Sequence, residues 1–203
     1  MEDKILDIKG FHPPKTQLGA TKMNTLVEAA EKLFSSKSFS AVSIQDICKE
    51  AHTAVGTFYI YFESKTDLYR YLMESYKQQI TKRLAKSIMN CKTRLEMERE
   101  GIRCFVKFAV EKPNVYNIIW GSLAVEKQMF EDYYVSFASS YARALFRSKQ
   151  ELKNDDVITI AYMLMGITNF IGLRAIFENM SETEIDKAID TAVMPILEKG
   201  LFI

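Results

Sequence analysis

Glycine and proline are scarce, eight and four in 203 residues. Long stretches hold neither, which disfavours a fold of many tight turns and favours helices. Cysteine is scarcer: Cys48, Cys91 and Cys104 stand apart, no C-x-x-C occurs, and His12 and His52 are the only histidines. Those spacings exclude a zinc site and any disulfide framework, and an odd, sparse cysteine count suits a reducing cytosol. Two histidines, both early in the chain, leave no nucleophile–base pair to assemble, so an enzyme is not expected, nor a metal or a cofactor. No basic n-region followed by an apolar run opens the chain, so no signal peptide is expected and the protein is read as cytoplasmic. Arginine is absent from the first 65 residues.

Apolar residues make up 48% of the chain, enough to fill a core, so disorder is excluded. The net charge is +1 and unevenly spread. Residues 1–65 hold eight lysines against eight acids, residues 66–103 nine bases against five acids, and residues 104–203 ten bases against thirteen acids. A nucleic-acid surface, if there is one, must therefore be local.

The patterning is helical throughout and the fold class expected is all-α. Residues 1–20, with Gly10, Pro13, Pro14 and Gly19, read as a flexible arm. From Lys22, the residues Met23, Leu26, Val27, Ala30, Leu33 and Phe34 recur at helical spacing. Ser43 with Asp46 caps a second helix, and a break at His52–Ala54 separates it from a short third. Ser64 with Asp67 caps a fourth of about six turns. These three short helices, the last two joined by a tight turn, form a helix-turn-helix arrangement, with domain limits set at 21–66 and 67–203. Further helices are expected from Thr93 to about Glu111, after Pro113, from about Gln128 to Lys149, behind the acidic Asn154–Asp156, and from the Ser181/Glu184 cap to near Gly200.

The run Ala51, His52, Thr53, Ala54, Val55, Gly56, Thr57, Phe58, Tyr59, Ile60, Tyr61, Phe62, Glu63, Ser64, Lys65 resembles the signature of the TetR family of bacterial one-component repressors. The G-T-x-Y-x-Y-F-x-S-K half matches throughout, and "VEAAEKLFSSKSF" is similar to the family's first helix. The resemblance is specific over about 45 residues. It departs at three positions. His52 replaces a turn glycine and must then adopt a left-handed backbone. Thr53 replaces a buried valine, and Ser38 a helix-ending glycine.

The resemblance implies a dimer that reads a near-palindromic double-stranded DNA operator. Phe58 and Phe62 are expected to pack the third helix inward. Tyr59 and Tyr61 are implied phosphate contacts. Gly56 admits close approach to base edges, Thr57 offers a hydroxyl and a methyl, and Ala54 and Val55 suit thymine methyls. Gln45 can reach a base, Ser43 a phosphate, and Lys65 brings charge to a phosphate at a helix N-terminus. Without arginine the operator should lean towards A·T, read partly by shape. Lys4, Lys9, Lys15 and Lys22 either add phosphate contacts or belong to a disordered tail.

In proteins of this family the larger part binds a small molecule and dimerises. Residues 157–173 lack any charge and are expected to be buried on all sides, against the same helix of a second subunit with 183–199 alongside. Gly166 and Gly172 permit close approach, or serve ordinary packing inside one subunit. The length is marginal for a membrane span and no second candidate exists, so no membrane partner is expected. Phe105, Phe108, Tyr116, Trp120, Phe137, Tyr141, Tyr162, Asn169 and Phe170 are the candidate ligand-binding residues, and the expected effector is apolar or aromatic. Plain core is the alternative for each aromatic, and Arg174 is expected to cap its helix. The leading reading is a ligand-responsive repressor; the alternative is a DNA-binding or adaptor protein of the same fold with no small-molecule ligand.

Overall fold

The computed structural model describes residues 8–202. Ten α-helices follow in order: α1 (Gln17–Ser36), α2 (Ile44–Glu50), α3 (Val55–Tyr61), α4 (Lys65–Ser87), α5 (Arg94–Glu111), α6 (Asn114–Val125), α7 (Lys127–Phe146), α8 (Val157–Phe177), α9 (Glu182–Ala188) and α10 (Met194–Gly200). Among the described residues there is no strand, only two isolated β-bridges, Phe11 to Phe62 and Leu152 to Phe202. The all-α class read from the sequence is what the structure has.

The helices close locally where their caps lie. Ser43/Asp46, Thr93/Glu96 and Ser181/Glu184 all form reciprocal capping boxes, and Asp156 accepts from Thr159 N at 3.1 Å. α1 begins earlier than the periodicity predicts. The Thr16 hydroxyl accepts from Gly19 N at 3.0 Å, so the helix starts at Gln17 rather than Lys22. The last helix also differs, since a π-helical turn, Ile189–Val193, interrupts it. Pro195 follows, and its missing N–H and bulky ring account for the widened turn before it.

The chain packs as two compact units. The first holds residues up to Gln78 together with Asn114–Glu131. The sequence reading set limits at residues 20 and 66. In the structure α1 to α3 and the part of α4 up to Gln78 are joined by α6, which is distant in sequence. Its core has Leu26, Ala30, Ile47, Phe58, Phe62, Leu68 and Leu72 at or near zero exposure. Phe34 lies 5.7 Å from the Phe39 ring and 5.1 Å from Tyr69. The Tyr69 hydroxyl donates to Ile118 O at 2.5 Å, and Asn117 Nδ2 to Ser35 O at 3.1 Å. Arg70 links Asp67 and Glu126, each at 2.7 Å. Gly121 permits this seat for α6, because a Cβ there would fall 2.8 Å from the Tyr69 hydroxyl.

The second unit holds Gln79–Pro113 and Asp132–Ile203. Ile102, Val106, Leu145, Ala161, Leu164, Ala175, Ile189 and Leu197 fill its centre. One ion pair is buried there. Arg94 Nε donates to Glu98 at 2.7 Å, and the Tyr141 hydroxyl donates to the other carboxylate oxygen. A second set lies nearer the surface: Arg103 meets Asp186 at 2.8 Å and Lys107 meets Glu182 at 2.9 Å, tying α5 to α9.

Within the single chain residues 157–173 are buried on one side, and the side expected to lie against a second subunit is bare. Ile160, Ala161, Leu164 and Met165 face the core of the second unit, but Ile158, Tyr162, Met163, Phe170 and Phe177 face out of the chain. Phe170 is 66% exposed and Phe177 75%. One chain covers one side of α8 only. Among the described residues this is also the helix long and apolar enough to cross a membrane.

Candidate nucleic-acid interface

α2 and α3 are joined by a turn that one strained residue makes possible. His52 has φ 52°, the left-handed conformation that its place in the turn demands. Thr53 N then closes on Cys48 O at 2.9 Å. The Thr53 hydroxyl is buried without a partner in hydrogen-bonding geometry. Its neighbour is the Cys48 thiol, which burial pushes up and the Thr53 hydroxyl partly lowers again. A thiol is a weak partner, so the hydroxyl counts as unsatisfied.

α3 splits cleanly by face. Phe58, Tyr61 and Phe62, at i, i+3 and i+4, turn inward. Ala54, Val55, Gly56, Tyr59 and Ile60 are exposed, with Tyr59 at 53%. Thr57 is half-buried at the edge. Ala54 is the N-cap residue and makes no side-chain cap, so the first-turn amides of α3 are not closed off by a side chain. A Cβ on Gly56 would meet nothing within 4 Å. Packing within the chain therefore does not require glycine there. Ser43 and Gln45 are exposed on α2, and Ser43 is already engaged with Asp46.

Two of the implied phosphate contacts are placed otherwise. Tyr61 is only 5% exposed, and its hydroxyl lies 3.4 Å from where a Cβ on Gly19 would sit. The spacing that buries Phe58 and Phe62 buries Tyr61 with them. Lys65 reaches back into its own domain. Its Nζ donates to Phe39 O at 2.6 Å and Val42 O at 2.5 Å, and lies 4.1 Å over the Phe39 ring. Desolvation lowers its pKa, against the pull of Asp46. Ile60 is an outward residue that sequence reasoning passed over, because a β-branched aliphatic reads as core.

The arm is not free along its described length. His12 N donates to Tyr61 O at 2.8 Å, and Glu63 N to Gly10 O at 2.9 Å. Phe11 packs 5.6 Å from the Phe62 ring and 4.7 Å from Tyr71. Lys9, Lys15 and Lys22 are exposed. Lys4 lies outside the described residues.

The nine candidate ligand-binding residues fall in both units. Phe105, Phe108, Phe137 and Tyr141 lie in the second unit, with Phe108 buried and Phe137 stacked on Tyr133 at 6.3 Å. Tyr116 and Trp120 lie on α6 in the first unit, Tyr116 buried and Trp120 exposed. Tyr162 and Phe170 are exposed on α8. Asn169 Nδ2 donates to Met165 O of its own helix at 2.8 Å. Arg174 pairs with the Glu178 carboxylate at 3.0 Å at the end of that helix. Among the described residues no group of three or more His, Cys, Asp or Glu is placed to hold a metal ion.

A capped helix, a tight left-handed turn and a short helix with one bare face form a helix-turn-helix arrangement, set in an all-helical chain. Residues 26–72 match the family model described as "Bacterial regulatory proteins, tetR family". The likeness to that family is carried by this stretch, about a quarter of the chain. Over 82 residues the chain is 35% identical to the HTH-type transcriptional regulator YuxN of Bacillus subtilis, a match covering 40% of this chain and 27% of that protein. Over 55 residues it is 46% identical to YvdT of the same organism, covering 27% of each. The matched segments thus span about a quarter of the length of these relatives. The fold extends further. A TetR-like transcriptional regulator from Rhodococcus sp. RHA1 superimposes with a TM-score of 0.72 at 17% identity, covering 93% of this chain and 100% of that one. A fatty acid degradation regulator from Bacillus halodurans has a TM-score of 0.72 at 15% identity, covering 88% and 95%.

Proposed function

We propose that the chain is a dimeric transcriptional repressor that binds a near-palindromic operator and is released by a small apolar or aromatic effector. The observation that carries this reading is the bare outer face of α3. It combines a glycine that internal packing does not need, small apolar side chains at Ala54 and Val55, and a tyrosine projecting at Tyr59. Such a face fits a major groove, reading thymine methyls and a phosphate with no arginine–guanine pair. Residues 21–66 would then read DNA and 67–203 would bind effector and dimerise.

The uncovered side of α8 supports the dimer. Ile158, Tyr162, Phe170 and Phe177 form an apolar stripe over most of that helix, with Gly166 in its middle. Pairing two copies places two α3 helices on one duplex, which matches an inverted repeat. An effector acts by binding one spacing of the two heads better than the other. The acyl-chain chemistry named for the Bacillus halodurans relative makes fatty acids the first compounds to try. One observation favours the ligand-free alternative: three of the candidate ligand-binding side chains, Trp120, Tyr162 and Phe170, are exposed in the single chain.

Selection of bound duplexes from random DNA at two salt concentrations tests the first part. An enriched A·T-leaning inverted repeat, bound more weakly as salt rises, is the expected result. Absence of enrichment at either salt overturns it. A thermal shift with fatty acids and aromatic acids tests the second, since an effector raises the midpoint of the native state.

A further inference from the structure

We propose that residues 8–16 are a basic strap belonging to the DNA-binding surface, which presents Lys9 and Lys15 to phosphates beside α3 in place of Lys65. The inference rests on the DNA reading above. Three observations lead to it.

The first is a shortage of charge. No arginine precedes Arg70, and Lys65 is bound to two carbonyls inside its own domain. Phosphate neutralisation supplies a large share of operator affinity, so the charge has to come from the exposed lysines, among which Lys9 and Lys15 join Lys22, Lys37 and Lys49. The second is attachment. Two backbone rungs, His12 N to Tyr61 O and Glu63 N to Gly10 O, pair the segment with the C-terminal end of α3, and Phe11 is wedged against Phe62 and Tyr71. Lys9 and Lys15 flank this pairing, one on each side, and both are exposed. The third is the fit at Gly10. Its φ is +72°, and a Cβ there would fall 2.4 Å from the Asp67 carboxyl carbon. Asp67 is itself held by Ser64 and Arg70. Glycine lets the strap lie against the start of α4, so the lysines sit at a fixed distance from the recognition helix.

Phosphate contacts do not depend on sequence, so a random-sequence duplex suffices as the probe. Fluorescence anisotropy across a salt series is measured for the wild type, for Lys9→Gln with Lys15→Gln, and for Gly10→Val. The double variant should keep its thermal midpoint, because both side chains are exposed. Its affinity should fall by more than about tenfold, and its log–log salt slope by about 0.9 per lysine removed. Gly10→Val retains both lysines but cannot hold the strap, and should lose affinity to a similar extent. An unchanged slope in the double variant overturns the proposal. So does wild-type affinity in Gly10→Val, which would mean that the lysines act from an unattached arm. If the wild type binds no duplex, the DNA reading fails and the strap with it, a result distinct from both.

Discussion

Single residues at the turn set both stability and contact. The Thr53 hydroxyl is buried with only a thiol beside it, where the family pattern has valine. Thr53→Val removes the unsatisfied group at nearly constant shape and should stabilise the protein by about 1 kcal/mol. Urea unfolding measures the change as a rise in midpoint at constant slope. The two tyrosines of α3 make opposite predictions. Tyr59→Phe removes an exposed hydroxyl and should weaken duplex binding by about fivefold, near 1 kcal/mol. Tyr61→Phe alters a buried ring and should leave binding unchanged. Equal losses in both would contradict the face assignment of α3.

At the level of helices, the caps were legible because their chemistry is local. Ser43/Asp46, Thr93/Glu96 and Ser181/Glu184 lie three residues apart, and each closes as read. What escaped was non-local. Lys65 finds its acceptors 23 and 26 residues upstream, a pairing that no sequence period encodes. The strap read as coil because Pro13, Pro14 and Gly19 mask the Thr16 cap and the Phe11 anchor. Half of α8 is bare because its hydrophobicity exceeds what one chain can cover. The caps also set the acid response. Hydrogen bonds from Ser43 lower Asp46, those from Lys92 and Thr93 lower Glu96, and those from Ser181 lower Glu184. A carboxylate whose folded pKa is depressed stabilises the fold above its ordinary value, and that contribution is lost as pH falls through the depressed one. Those ordinary values are 3.8 for Asp and 4.5 for Glu, so the thermal midpoint should hold above about pH 5 and fall progressively below 4.5. Asp46→Asn together with Glu184→Gln should flatten that fall in a midpoint-against-pH series; an unaltered curve would assign the acid response to other groups.

For the molecule as a whole, α8 is where assembly is tested. Phe170→Glu places a charge in the exposed apolar stripe and touches no core position of its own chain. It should give a folded monomer by sedimentation, with unchanged helical content and operator affinity reduced by orders of magnitude, since one head alone loses the benefit of the second. A variant that stays dimeric would move the interface elsewhere.

The first unit is assembled from two stretches of chain, the second beginning at Asn114. On a ribosome that order becomes a delay. The recognition helix emerges early, but the seat that Ser35 O and Tyr69 offer to α6 stays empty until Asn117 and Ile118 have been synthesised. At about 5–20 residues per second, translating Gln79–Pro113 takes roughly two to seven seconds. During that interval the nascent domain exposes the apolar side of α1 and α4 that α6 will cover. A chain built this way completes its first unit only once α6 exists, and a truncation before Asn114 leaves the earlier helices without the helix that covers them.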